Sequence, residues 1–245
     1  VTILVTGGTK GIGRAIAERF AAPGVRVFVG YASDDDAARQ TAAAIERKGG
    51  EPYLLKHDVG DPEECRRLVD IVGNHASVLN QLVHCAVAAP WGGLLDVPDD
   101  EVMRSVRVNA LAVLDVVRAA RPLLTRGSVI AAISSRGSSM VVPGYGPVAI
   151  AKALMEASMR YLAVELGPAG IRTHVVEVTA VLTDTYRAIV PDAERKIAQI
   201  GVNSPAGRPV TADDVADALE WLASDGAQMI SGRTIVLDGA ANLRV

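Results

Sequence analysis

The stretch Thr6-Gly7-Gly8-Thr9-Lys10-Gly11-Ile12-Gly13 decides how this chain is read. It follows the apolar run Ile3-Leu4-Val5 and opens into Arg14-Ala15-Ile16-Ala17-Glu18-Arg19-Phe20, whose apolar spacing is helical. Strand, glycine-rich turn and helix in that order place a helix N-terminus and bare backbone N–H groups against the phosphates of a dinucleotide. Gly7 permits the tight turn, Gly11 admits the backbone to a pyrophosphate, and Gly13 lets helix and strand pack closely. The spacing is G-x-x-x-G-x-G, so the motif takes its meaning from the elements around it.

Outward from that turn, strands and helices alternate to the end of the chain. The expected strands are Val25–Val29, Pro52–Lys56, Gln81–Cys85, Val129–Ser134, Ile171–Val178 and Thr234–Leu237. Between them lie a helix capped by Ser33 or one of Asp34–Asp36 and ended by Gly49-Gly50, and one started by Asp61-Pro62. Further helices are expected from Pro98 to about Leu124, over Val148–Leu166, and over Thr211–Ser224. This alternation predicts an α/β fold, a doubly wound parallel (Rossmann-type) sheet forming a single domain over 1–245. Ligands of such sheets bind beyond the carboxyl ends of the strands, which gathers Gly7–Gly13, Asp58, Cys85, Ser135 and Thr179–Thr183 around one crevice.

Composition narrows the function classes. The 245 residues carry a net charge of −3 with basic residues scattered, which argues against nucleic acid as a partner. No apolar run is long enough for a membrane span, and Val1 already opens a strand, so no membrane association and a cytoplasmic location are expected. Cys65 and Cys85 have no metal-ligand spacing, and His57, His75, His84 and His174 form no ligand pair, so no metal is expected.

Six pieces in order resemble the short-chain dehydrogenase/reductases: Thr6–Gly13, Asp58-Val59, Asn109, Ser134-Ser135, the helix of Lys152, and Asp238-Gly239. The resemblance covers nearly the whole chain. It implies a nicotinamide cofactor, an active site of Ser, Tyr and Lys, and a homo-oligomer, commonly a tetramer and otherwise a dimer. Cofactor contacts are expected from Gly7, Thr9, Lys10, Gly11, Ile12, Gly13, Arg14, Tyr31, Asp58, Val59, Cys85, Lys152 and Thr183. Tyr31 stands where an acidic residue would bind a ribose 2′-hydroxyl, and Lys10 and Arg14 are placed to meet a 2′-phosphate. NADPH is therefore expected over NADH, although Asp34–Asp36 follow closely and would oppose that phosphate. The chain departs from the family pattern at His84-Cys85-Ala86-Val87, for Asn-Asn-Ala-Gly, and at Val178-Thr179, for Pro-Gly.

The catalytic stretch reads Tyr145-Gly-Pro-Val-Ala-Ile-Ala-Lys152. Most of the family separates Tyr and Lys by three residues, which would need a tyrosine at Val148; here six intervene. Seven helical positions are close to two turns, so both side chains can share a face, with Pro147 marking the first turn and Tyr145 just outside it. The wide gap resembles the enoyl-acyl-carrier-protein reductases. Moving a tyrosine back three helix positions displaces it by roughly 4.5 Å, about the distance from a reduced carbonyl carbon's oxygen to the thioester oxygen of an enoyl substrate. Tyr145 would then stabilise an enolate, Lys152 would hold the ribose and lower the phenol's pKa, and Ser135 would assist.

Asn203-Ser-Pro-Ala-Gly-Arg-Pro-Val and Ser231-Gly-Arg-Thr-Ile-Val-Leu-Asp-Gly are similar to an NADPH-using enoyl reductase. The segment 183–209 is the expected substrate lid, with a short helical stretch near Asp192–Ile200, with Ala188, Ile189, Val190 and Ile197 suited to an acyl chain, and with Arg187, Arg195 and Lys196 suited to an acidic carrier protein. The expected activity is NADPH-dependent reduction of an enoyl thioester, on an acyl carrier protein or coenzyme A, in fatty acid or polyketide biosynthesis. The alternatives are a ketoreductase acting on a β-ketoacyl thioester or other ketone, and a catalytically silent nucleotide-binding scaffold; Tyr145 would be merely a loop residue if the catalytic position had decayed to Val148.

Overall fold

The computed structural model describes residues 1–243. Seven strands, β1 (Thr2–Thr6), β2 (Arg26–Tyr31), β3 (Glu51–Lys56), β4 (Gln81–His84), β5 (Val129–Ser135), β6 (Arg172–Val178) and β7 (Arg233–Leu237), form one sheet in the order β3-β2-β1-β4-β5-β6-β7. Every pairing is parallel. The order reverses between β1 and β4, and a crevice opens at that switch point.

The strands are apolar on both faces because helices cover both. Leu4, Phe28, Leu82, Ile130 and Ala132 point to one face, where they pack on α3 (Pro62–His75), α5 (Ala112–Ala120) and α6 (Gly146–Leu166). Ile3, Val5, Val27, Val29, Val83, Ala131 and Ile133 point to the other, against α1 (Gly11–Arg19) and α9 (Ala212–Ala223). Such period-two alternation fixes register, since a slip of one residue would exchange the two faces.

Local capping follows the sequence closely. Asp34 accepts from the Ala37 amide to start α2 (Asp35–Arg47), Asp61 does so for α3, and Thr211 with Asp214 forms a capping box on α9. Two elements depart from expectation. The helix expected from Pro98 is interrupted: α4 (Asp99–Val106) passes into a π-turn (Arg107–Leu111) before α5, and that turn carries Asn109. The lid holds two helices, α7 (Asp184–Ile189) and α8 (Ala193–Asn203), where one short helix over Asp192–Ile200 was expected. Among the described residues no helix is long and apolar enough to cross a membrane, and no group of His, Cys, Asp or Glu could hold a metal ion.

Candidate active site

A crevice of about 660 Å³ runs over the carboxyl ends of the strands, from Tyr31 and Asp34 at one end to Tyr145 and the lid at the other. Its floor is shaped by absent side chains. A Cβ on Gly7 would stand 2.7 Å from the Ala86 backbone, one on Gly11 would stand 2.8 Å from Thr183 Cγ2, and one on Gly13 would stand 2.1 Å from the Gly7 oxygen. Gly7 and Gly11 also adopt positive φ, 65° and 49°. The N-terminus of α1 above them has no side-chain cap and no acidic residue in its first turn. Its unpaired N–H groups and the closely approaching backbone suit a pyrophosphate, so the residues present fit the dinucleotide that the sequence implies.

At the far end of β2 the side chains are already engaged with one another. Lys10 pairs with Asp34, Tyr31 donates to Asp35 at 3.0 Å, and Lys56 reaches the same carboxylate at 2.7 Å. Asp34 and Lys10 both line the crevice. Arg14 does not: its Nε donates to Glu18, one turn along the same helix, at 2.7 Å. The expectation of two cations waiting for a 2′-phosphate thus becomes one cation held by a carboxylate. Asp58 and Val59 line this end, with Asp58 accepting from the Gly60 amide at 2.9 Å and from Arg104 at 2.6 and 2.8 Å.

The other end is built on the start of α6. Tyr145 occupies the N-cap position, as its place before Pro147 implied, and lines the crevice with Lys152 and Ser135. Its ring lies against the main chain at Gly137, where a Cβ would come within 2.6 Å of Cδ1, and meets Trp91 edge-on at 6.1 Å. Burial raises the Tyr145 pKa above the ordinary tyrosine value, and a hydrogen bond with Ser135 lowers it in part. Lys152, 5 % exposed, donates to the Ile133 oxygen at 2.7 Å, and burial brings its pKa down to about 8. This corrects one expectation: Lys152 is anchored to β5, and the phenol is raised, not lowered. Val148, where most of the family would carry tyrosine, is 0 % exposed and belongs to the core.

Of the neighbouring serines, Ser134 hydrogen-bonds Glu156 and Ser139 bonds the Arg136 oxygen, while Ser135, which accepts from the Gly137 amide at 3.3 Å, lines the crevice with Tyr145. Asn109 is engaged structurally. Its amide spans the main chain of Ala88, accepting from N at 3.1 Å and donating to O at 2.7 Å, and so fixes the loop after β4. Beneath it, His84 receives a hydrogen bond from Thr6 Oγ1 at 2.9 Å and donates from Nε2 to the Val108 oxygen at 3.0 Å. A carbonyl can only accept, so the proton is on Nε2, and burial, which drops the imidazole to about 3, keeps the ring neutral. Cys85 lines the crevice with its thiol raised to about 11 by burial, so it is not a nucleophile at neutral pH.

Over this end lies the segment 183–209. Thr183 caps α7, accepting from the Tyr186 amide at 3.1 Å, and lines the crevice with Tyr186, Ile189, Val190, Lys196 and Ile200. Ile189 and Val190 are where an acyl chain would need them, whereas Ile197 is buried in packing and Ala188 faces outward. Arg187 is taken up by Asp184 and Glu194, and Arg195 by Asp192.

With this geometry, comparison with known proteins is decisive on the family. A family model described as "Enoyl-(Acyl carrier protein) reductase" matches residues 7–242. The chain belongs to the short-chain dehydrogenase/reductases. Within that family it is 31 % identical to a 1-cyclohexenylcarbonyl-CoA reductase of Streptomyces collinus, covering 98 % of this chain and 86 % of that one. A short-chain dehydrogenase of Burkholderia cenocepacia in complex with NADP superposes with a TM-score of 0.89 at 31 % identity, over 98 % and 97 % of the two chains. The angucycline C-6 ketoreductase LanV with bound NADP also gives 0.89, at 28 % identity over 99 % and 96 %. The fold is thus that of the family, and the crevice-lining residues that sequence reading passed over include Trp91, Arg136 and Tyr186. Each lies in a loop or lid whose path the strand and helix pattern does not specify.

Proposed function

We propose that this chain is an NADPH-dependent reductase of the carbon–carbon double bond of an enoyl thioester carried by coenzyme A or an acyl carrier protein. One observation carries the reading: the tyrosine that α6 presents to the crevice is Tyr145 at its N-cap, while position 148 is a valine sealed in the core. The family description and the cyclohexenylcarbonyl-CoA reductase support the same substrate class. NADP in two similar structures supports the cofactor, with Lys10 as its 2′-phosphate partner.

The α1 N-terminus and the Gly7–Gly13 turn would hold the pyrophosphate, Asp58 and Val59 the adenine side, and Thr183 and Lys152 the nicotinamide side. Bound there, the dinucleotide supplies a hydride. Lys152 spends one of its three N–H groups on Ile133 and has two left for ribose hydroxyls. Tyr145 keeps its proton near neutrality because burial raises its pKa. A neutral phenol is a hydrogen-bond donor, which is what a developing enolate oxygen requires. Ser135 stands in the same crevice wall to assist that phenol, and Trp91, Ile189 and Val190 give the site an apolar border. Exposed apolar residues on α6, Tyr161 and Val164 at 74 % and 78 %, support assembly as a homo-oligomer.

The test uses NADPH deuterated at nicotinamide C4 with a crotonyl thioester and an acetoacetyl thioester. Deuterium at the β-carbon of a saturated acyl product supports the proposal. Label only at the carbinol carbon of a hydroxyacyl product assigns the ketoreductase activity that LanV bears in its name.

A further inference from the structure

The charged side chains around the crevice can be paired off almost completely. Lys10 is bound to Asp34, Arg104 to Asp58, and Asp184 to Arg187. Lys152 is buried and bonded to the Ile133 oxygen. Two cations are left over: Arg136 and Lys196 line the crevice and, among the described residues, have no side-chain hydrogen bond or ion pair. Both stand at the Tyr145 end, Arg136 directly after Ser135 and Lys196 on α8. Arg136 lines the crevice together with Tyr186 of α7. The surrounding walls are apolar, formed by Trp91, Val142, Pro143, Ile189 and Ile200.

Arg136 is half-buried beside an apolar wall, where a cation without a partner is favoured by an incoming anion, and Lys196 borders the same crevice from its exposed rim. The proposed cofactor's phosphates do not meet that need, because the pyrophosphate is assigned to the α1 N-terminus over Gly11 and the 2′-phosphate to Lys10. We infer that Arg136 and Lys196 bind a phosphate group of the substrate, the one at the head of a pantetheine arm. The inference rests on the thioester reading above and deepens it. A guanidinium offers a planar fork to two phosphate oxygens and the ammonium adds a mobile point charge, so the pair recognises the arm and leaves the acyl group to the apolar wall. It also replaces the expectation of a carrier-protein patch made by Arg187, Arg195 and Lys196, since the first two are consumed within the lid.

The experiment compares crotonyl-pantetheine, crotonyl-4′-phosphopantetheine and crotonyl-CoA on the wild type and on Arg136→Gln/Lys196→Gln. In the wild type, removing the phosphate should lower kcat/KM about tenfold, and in the double variant less than twofold. Equal discrimination by both proteins overturns the inference. So does weaker NADPH binding by the double variant in a fluorescence titration, which would assign the two cations to the cofactor. If the wild type reduces none of the thioesters, the thioester reading itself fails. Calorimetry with coenzyme A and pantetheine on the NADPH complex then decides the phosphate site separately: tighter binding of coenzyme A, lost in the variant, upholds it, and equal binding overturns it. An activity requirement for a carrier protein rather than coenzyme A identifies which phosphate-bearing source the site serves.

Discussion

Lys152 Nζ donates to the main-chain oxygen of Ile133 at 2.7 Å, so the buried ammonium is tied to the end of β5. Tyr145, two helical turns earlier, stands instead at the N-cap of α6 with its ring against the main chain at Gly137 and edge-on to Trp91. The two side chains at the start of one helix are thus held by different parts of the crevice wall. In the proposed mechanism each has a separate task, Lys152 toward the ribose and Tyr145 toward the substrate oxygen.

The burial of Lys152 has a pH consequence. Its pKa is lowered from 10.5 to about 8, so the ammonium form is complete well below that value and is lost as pH rises through it. The parameter kcat/KM reports groups of the free enzyme, and it should fall above about pH 8 with the loss of one proton. The sign for stability is opposite: the unfolded chain holds this proton more tightly, so the cost to folding is greatest below about pH 8 and fades above it. A pH–rate profile of Lys152→Arg should show no such fall, because a guanidinium stays charged throughout.

Asp34 sets the terms for the cofactor. It holds Lys10 and also caps α2 through the Ala37 amide. Asp34→Asn should keep the cap while freeing Lys10 and removing a negative charge from the crevice. Fluorescence titration should then show NADPH binding strengthened by about three- to tenfold and NADH binding little changed, a modest effect because the pair is solvent-exposed. An equal change for both cofactors would show that Asp34 acts only on α2.

Gly137 positions Tyr145 without touching substrate. A Cβ there would stand 2.6 and 2.8 Å from two atoms of the ring, which cannot yield as a flexible chain end would. Gly137→Ala should lower kcat by at least about tenfold, since small misplacements of a catalytic group are costly. Near-UV circular dichroism should report the displaced Tyr145–Trp91 pair, and NADPH affinity should stay close to that of the wild type. Unaltered kcat would mean that the ring position is immaterial.

The fold was legible because its signals are local. Alternating apolar runs, the Asp61-Pro62 start and the Thr211 cap each act within a few residues, and all seven strands and their parallel order follow. Lys10, by contrast, is partnered by a residue from the next βα unit, and Lys152 by the carbonyl of a distant strand. No spacing rule reveals such contacts. The π-turn at Arg107–Leu111 was equally hidden, since its sequence is apolar and periodic like the helix around it. Trp91 could have been suspected as a large aromatic in a Pro- and Gly-rich loop, but its seat on Gly144 is a matter of tertiary packing.

The most direct test of the central claim is NADPH oxidation by wild type and Tyr145→Phe with matched enoyl and β-ketoacyl thioesters. The account predicts turnover of the enoyl substrate, with kcat reduced about 10²- to 10³-fold in Tyr145→Phe and NADPH binding retained, the loss expected for one oxyanion donor. Turnover confined to the β-ketoacyl substrate, or undiminished enoyl reduction without the phenol, would contradict it.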